Sequence, residues 1–232
     1  MKRICRYLPI FVLPLACLPL AHAQGVDFGI GFGAVQDKAA TTGLDPNTLL
    51  SCQLGTNPSG AGCASTPSLS GFMLGFNGDL MLWKHFGIGA EVSFQPAKQD
   101  YVVLQPEIAS VGQPGYTLQS RTTLYDFNGI YQPLKTKRAS LKLEGGIGGA
   151  NLKFYESGSS TTAITGQQNF SQYFGSSNHF QVHGGVGLQL YLSGNFFIRP
   201  QFDVHYVNNL TQFGRNVITR EMVWVGYTFG GQ

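Results

Sequence analysis

HGGVGLQLYLSGNFFIRPQFDVHY, residues 183–206, is two arms around a short turn. In the first arm Val186, Leu188 and Leu190 alternate with His183, Gly185, Gly187 and Gln189. In the second, Phe196, Ile198, Phe202, Val204 and Tyr206 alternate with Arg199, Gln201, Asp203 and His205. A period of two puts neighbouring side chains on opposite faces of a strand. The Ser193-Gly194-Asn195 run between the arms is a turn signal, so the arms pair as an antiparallel hairpin with one apolar and one polar, glycine-rich face. Each arm approaches or exceeds the 9–11 residues with which a tilted strand crosses a bilayer.

The same alternation recurs along the chain. It predicts eight strands at about 26–36, 70–83, 86–96, 120–132, 139–155, 179–192, 196–207 and 217–229. Their connections alternate in length. Links rich in Gly, Ser, Thr, Pro and Asn cover about 37–69, 97–119, 156–178 and 208–216. Tight turns lie around Lys84-His85, Leu134–Arg138 and Ser193–Asn195. Alternation of long and short connections is the habit of outer-membrane barrels, whose extracellular loops are long and periplasmic turns short. It requires an even strand number and places both termini on the periplasmic side.

The N-terminus is consistent with export. Lys2, Arg3 and Arg6 precede an apolar stretch from Leu8 to Leu20, and Ala21-His22-Ala23 supplies small residues at the cleavage positions. Residues 1–23 are therefore expected to be a signal peptide for the general secretory pathway, and 24–232 a single barrel domain. A lipoprotein site at Cys17 is the alternative; Pro14 and Leu15 fit it poorly. Three of the 15 basic residues and none of the 12 acidic ones precede Gln24, so the remainder is formally neutral. The overall basic charge belongs to the leader and is no argument for nucleic acid. Charged residues make up only 12%, about half the usual share of a soluble domain. No later segment is apolar over 18 residues, which leaves a closed barrel as the way for such a chain to cross a membrane.

Alternation alone does not say which face is inside. A secreted soluble barrel would turn its polar face to water, and that face would be dense in Lys and Glu. Here the polar face holds Asp27, Gly29, Gly31, Gly75, Asn77, Asp79, Gly89, Glu91, Asp126, Asn128, Lys142, Glu144 and Gly146, besides the residues quoted above and Arg220. Small residues and a few charges of mixed sign suit the crowded interior of an eight-stranded barrel, which side chains just fill. The apolar face carries Phe28, Ile30, Phe32, Phe72, Phe76, Phe86, Ile88, Tyr125, Phe127 and Tyr131, with aromatics gathered near strand ends, as at a membrane interface. The expected fold is all-β: a transmembrane, antiparallel, up-and-down barrel of eight strands.

Over nearly all of residues 24–232 this strand–turn pattern resembles the OmpA/OmpX-type small outer-membrane barrels. The hairpin through Phe197-Ile198-Arg199-Pro200-Gln201-Phe202 is similar to the penultimate hairpin of that group, and Trp224-Val225-Gly226-Tyr227-Thr228-Phe229 to its C-terminal assembly signal. The chain departs in carrying Gly230-Gly231-Gln232 after the last aromatic. The resemblance implies the outer membrane of a Gram-negative-type bacterium, contact with its lipids, and recognition of the last strand by the barrel-assembly machinery. It chooses no function within a group whose functions are diverse.

The expected lumen network is Asp79, Glu91, Asp126, Lys142, Glu144, Arg199, Asp203 and Arg220. Ranked by distance from the short turns, Lys142 and Arg199 lie below Glu91, Glu144, Asp126 and Asp203, and are expected to contact at least two of those four. His183 and His205 are expected opposite each other. Shared hydrogen bonds are the simpler reading of the pair; a metal site completed by Asp203 is the alternative. Cys52 and Cys63 in the first long link are expected to form a disulfide in an oxidising envelope. His205-Tyr206-Val207-Asn208 resembles the His-Tyr-Ser-Asn run of outer-membrane lipid A deacylases, but Val207 stands at the position of the nucleophile and has no hydroxyl to activate. Gly145–Gly149 lies within a strand pattern and opens no helix, unlike a phosphate loop. The sequence thus points to a non-enzymatic, cofactor-free monomer with a plugged polar lumen, acting in envelope structure or surface contact through an unidentified extracellular ligand. A small-solute channel is the alternative, and a lipid A-modifying hydrolase a remote one.

Overall fold

A computed structural model describes residues 25–37, 68–104, 115–162, 166–210 and 215–230. The expected leader 1–23, and Cys52 and Cys63, lie outside the described residues. The strands are β1 (Gly25–Asp37), β2 (Gly71–Met81), β3 (Phe86–Phe94), β4 (Gln99–Leu104), β5 (Gly115–Lys135), β6 (Ala139–Thr162), β7 (Gly166–Ser193), β8 (Phe196–Val207) and β9 (Val217–Phe229). All neighbouring strands pair antiparallel, in the order β3-β2-β1-β9-β8-β7-β6-β5-β4, and β3 also pairs β5, from Phe86↔Tyr131 to Phe94↔Thr123. That pairing closes the sheet. β4 continues the path of β3 along the upper part of β5 after a break at Gln95–Lys98, so nine segments make eight staves. Closure removes the unpaired edges that an open sheet would present to lipid.

The wall turns its apolar face outward. Phe28, Ile30, Phe32, Phe76, Ile88, Phe127, Ile147, Val186 and Val204 are all exposed, Ile30 and Phe127 by 61% and 66%. Asp27, Asn77, Asp79, Glu91, Asp126, Lys142, Arg199, Asp203 and Arg220 are all buried. This inverts the arrangement of a soluble protein, where charged residues are almost never fully buried; it is the arrangement of a transmembrane barrel. Aromatic rings collect at the end that carries the short turns. Phe28, Phe196, Tyr227 and Phe229 form one edge-to-face group and Phe86–Tyr131 a stacked pair, an interfacial girdle.

Local sequence accounts for the irregularities. Gly194 takes φ +55 in the β7–β8 turn, a left-handed conformation that glycine adopts freely. Pro200 lacks an N–H, and the β7–β8 ladder holds no pair between Leu190↔Ile198 and Gly187↔Gln201, where that donor is not needed. Pro133 lies in the β5–β6 bulge between Tyr131 and Leu134.

Two expected loops are corrected. The link 156–178 is strand over 156–162 and 166–178, and the link 97–119 contains β4 and the start of β5. β7 runs 28 residues, roughly 90 Å of extended chain, far more than a membrane crossing uses. Along it, residues 169–180 are all exposed or only partly buried. Both faces of this part meet water, so Asn169-Phe170-Ser171-Gln172-Tyr173 shows no polar–apolar alternation for a strand reading to detect. β4, β5, β6 and β7 therefore continue above the barrel as a four-stranded sheet, stapled by Lys98 over the Tyr155 ring at 4.3 Å and by the Tyr155–Tyr173 contact.

Candidate functional site: the barrel lumen

Inward positions on all eight staves build the lumen in layers. The lowest charged layer, nearest the short turns, is compact. Lys142 Nζ lies 3.0 Å from Asp27 Oδ2 and 2.5 Å from Asp79 Oδ2, and Arg199 Nη1 lies 2.8 Å from the same Asp79 oxygen. Asp27 also accepts from Thr228 Oγ1 at 2.6 Å and Gln189 Nε2 at 3.2 Å. Two cations thus face two carboxylates, and the layer balances.

The next layer is organised by Arg220. Its Nη1 lies 2.5 Å from Glu91 Oε1 and 3.6 Å from Asp126 Oδ2, and donates to Ser93 Oγ at 2.9 Å; its Nη2 lies 2.8 Å from Asp203 Oδ2. Gln201 Nε2 reaches Glu144, Glu91 at 3.4 Å and both Asp203 oxygens at 3.1 Å. Here one guanidinium serves Glu91, Asp126 and Asp203, with Glu144 beside them. Buried charges persist when they are paired and hydrogen-bonded, and the amide of Gln201 supplies donors to Glu144, which has no Lys or Arg partner among the described residues.

His183 and His205 are register partners on β7 and β8, with ring centroids 5.0 Å apart and planes at 28°. His183 Nδ1 lies 3.2 Å from Asp126 Oδ1, which also accepts from Gln181 Nε2 at 2.6 Å. One ligand atom each from Asp126, His183 and His205 lies within 4.8 Å of the others.

Trp224 crosses the lumen against Gly31 and Gly75, which pair with each other on β1 and β2. Arg199 lies over its ring at 5.8 Å, within cation–π range. A Cβ at Gly31 would strike that ring, whereas one at Gly78 would meet Phe28 only at ordinary contact distance, 3.5 Å. Gly31→Ala is therefore expected to lower the stability of the refolded barrel by about 1–3 kcal/mol, and Gly78→Ala by much less. Urea titration of both in lipid vesicles checks this; equal effects would contradict the placement of Trp224.

All eight residues of the expected network are buried here, but not with the expected partners. Lys142 and Arg199 pair with Asp27 and Asp79, and none of the ion pairs they make among the described residues involves Glu91, Asp126, Glu144 or Asp203. Counting residues up from each turn ignores the shear of the barrel, which staggers equal ranks on neighbouring strands. Asp27, absent from the expected network, is central to it; β1 has no short turn before it from which to count. The expected third neighbour of the histidines is also corrected, because Asp203 is held by Arg220 and Asp126 takes that place. Gln201 and Trp224 belong to the inward alternation but lack the charge that drew attention to the others.

His205 and Val207 are both buried and the intervening Tyr206 is exposed on the apolar face. Glu221 lies on the outer face, bonded by Gln36 Nε2 at 3.0 Å. The residues that resemble the deacylase run are thus divided between the two sides of the wall.

No family model matches the chain, and none of the curated proteins does. Among solved structures it is similar to Ail, the attachment invasion locus protein of Yersinia pestis, at 16% identity and TM-score 0.47, with 89% of this chain and 99% of that one covered. It is also similar to the outer membrane protein OprG from Pseudomonas aeruginosa, at 13% and 0.46, covering 90% and 98%. A third is the N-terminal β-barrel domain of Pseudomonas aeruginosa OprF, at 13% and 0.40, covering 89% and 98%.

Proposed function

We propose that the chain is an integral outer-membrane protein with a plugged lumen and a non-enzymatic role in surface contact, made through the sheet that β4–β7 raise above the barrel. The observation that carries this reading is that sheet. It extends three staves well beyond any membrane requirement and displays Tyr173 and Phe174, 57% and 68% exposed. Large exposed apolar groups on a rigid frame suit partner binding. What supports a plugged lumen is the filling of its cross-section: Lys142, Arg199, Arg220 and Trp224 are each at most 1% exposed, as expected where eight strands leave room only for side chains.

The test has two arms. Removing residues 155–174 and joining Phe154 to Gly175, which are register partners, by an Asn-Gly turn takes away Tyr173 and Phe174 and leaves the wall below intact. Cells displaying the full chain are expected to clump or to be retained on an epithelial layer, and cells displaying the shortened chain to lose that property while the barrel stays folded. Planar bilayers containing the full chain are expected to show no conductance steps of the large porin type. Stable open steps, with adherence unaffected by the deletion, would favour the small-solute channel instead.

A further inference from the structure

The two charged layers differ in balance. The lower holds Lys142 and Arg199 against Asp27 and Asp79. The upper holds Arg220 alone against Glu91, Asp126 and Asp203, with Glu144 bridged to them by Gln201. With every carboxylate ionised the lower layer is neutral and the upper is short of three positive charges, a shortfall that retained protons on the crowded acids or a bound cation relieves. Uncompensated charge in a membrane interior is strongly unfavourable. The deficit falls in the layer beside the lumen histidines.

The histidines themselves lack satisfaction. His205 is fully buried, and neither of its ring nitrogens has a hydrogen-bond partner among the described residues. Asp126 Oδ2 is buried without a hydrogen bond as well, with Arg220 the nearest cation at 3.6 Å. An imidazole always presents at least one lone pair or N–H that burial penalises when left unmade. Two imidazoles and a carboxylate with converging ligand atoms form a donor set for a divalent first-row transition ion.

The geometry points to a transition-metal site in the lumen, formed by Asp126, His183 and His205 and suited to zinc or copper. A tetrahedral ion with nitrogen ligands at about 2.0–2.1 Å holds them about 3.3 Å apart. The three ligand atoms already lie within 4.8 Å of one another, so binding has to draw them together by no more than about 1.5 Å and to turn the stacked rings toward a common point. A divalent charge there is favourable beside Asp126 and Asp203, which share the single guanidinium of Arg220 with Glu91. Gln181, donating to Asp126 at 2.6 Å, orients the carboxylate in the way outer-sphere partners orient metal ligands. The site is enclosed, with three protein ligands from β5, β7 and β8, so the ion ties three staves together. Its role is structural, and loading accompanies folding. The inference stands apart from the proposed surface role.

The probe is Cu2+, with Zn2+ for stability. The chain has five histidines. In a chain carrying His22→Gln, His85→Gln and His179→Gln, the only imidazoles left are His183 and His205. Refolded into vesicles with Cu2+ and freed of excess metal, it is expected to retain one equivalent whose spin-echo spectrum shows the modulation of imidazole nitrogen. Zn2+ is expected to displace the copper and to raise the urea midpoint of the barrel. Adding His205→Gln is expected to weaken retention at least about tenfold. A folded chain that retains no metal, or one whose copper shows no imidazole signature, overturns the site. Undiminished retention in a folded His205→Gln chain overturns it too. Should His205→Gln prevent folding, the spectrum of the chain that keeps both lumen histidines decides alone.

Discussion

Replacing Arg220 by alanine is expected to destabilise the barrel by about 3–5 kcal/mol, the range for removing one partner from a buried ion pair. Arg220 is the cation that Glu91, Asp126 and Asp203 share, at 2.5, 3.6 and 2.8 Å. Its loss leaves three carboxylates facing one another in a lumen from which lipid and strands exclude bulk water. Arg199→Ala is expected to do less. Asp79 then keeps Lys142 at 2.5 Å, and the lower layer retains one cation between two acids. Urea unfolding of both variants in vesicles of one lipid composition measures the difference. Equal losses would mean that the two layers exchange charge freely, against the partition observed.

Arginine on the lipid face is expected to destabilise by about 2–4 kcal/mol near the bilayer midplane. Phe76 and Val204 are the positions to test, 52% and 41% exposed on the outer wall. Gln201, on the same strand as Val204 but inward, is the control. Its amide already donates to Glu91, Glu144 and Asp203, so Gln201→Arg brings a second cation to acids that share Arg220, and crowding is its main penalty. Val204→Arg has no anion to meet and sits in hydrocarbon. Refolding yield and urea midpoint are expected to fall for Phe76→Arg and Val204→Arg and to change far less for Gln201→Arg. Similar losses at all three would contradict the inside–outside assignment.

The wall was legible because the chain obeys one local rule. Where one face meets lipid and the other a packed lumen, each residue's side is set by parity, and Val186 or Arg199 states its face without knowledge of the rest. The turn at Gly194 then fixes register, which is how His183 and His205 come opposite each other. Partner choice across the lumen was not legible. It depends on shear, a property of the closed sheet that no single strand carries, and so Lys142 and Arg199, expected against at least two of Glu91, Glu144, Asp126 and Asp203, lie against Asp27 and Asp79 instead. The projecting sheet was hidden for a different reason. From Asn169 to Phe180 both faces are wet, polarity no longer alternates, and Ser-, Gln- and Asn-rich strand has the composition of a loop. Trp224 was legible by parity, between Val223 and Val225, but nothing local to its strand shows that it crosses the lumen to Gly31 and Gly75.

The central claim is that this barrel is folded by lipid: its apolar wall is outside and its charges are inside. Refolding the chain from urea with and without lipid vesicles, followed by gel electrophoresis of unboiled and boiled samples, tests that most directly. The account predicts a compact, fast-migrating band in unboiled samples refolded with vesicles, lost on boiling and absent without lipid. A compact, monodisperse protein in plain buffer, or no heat-dependent shift in the presence of vesicles, would contradict it.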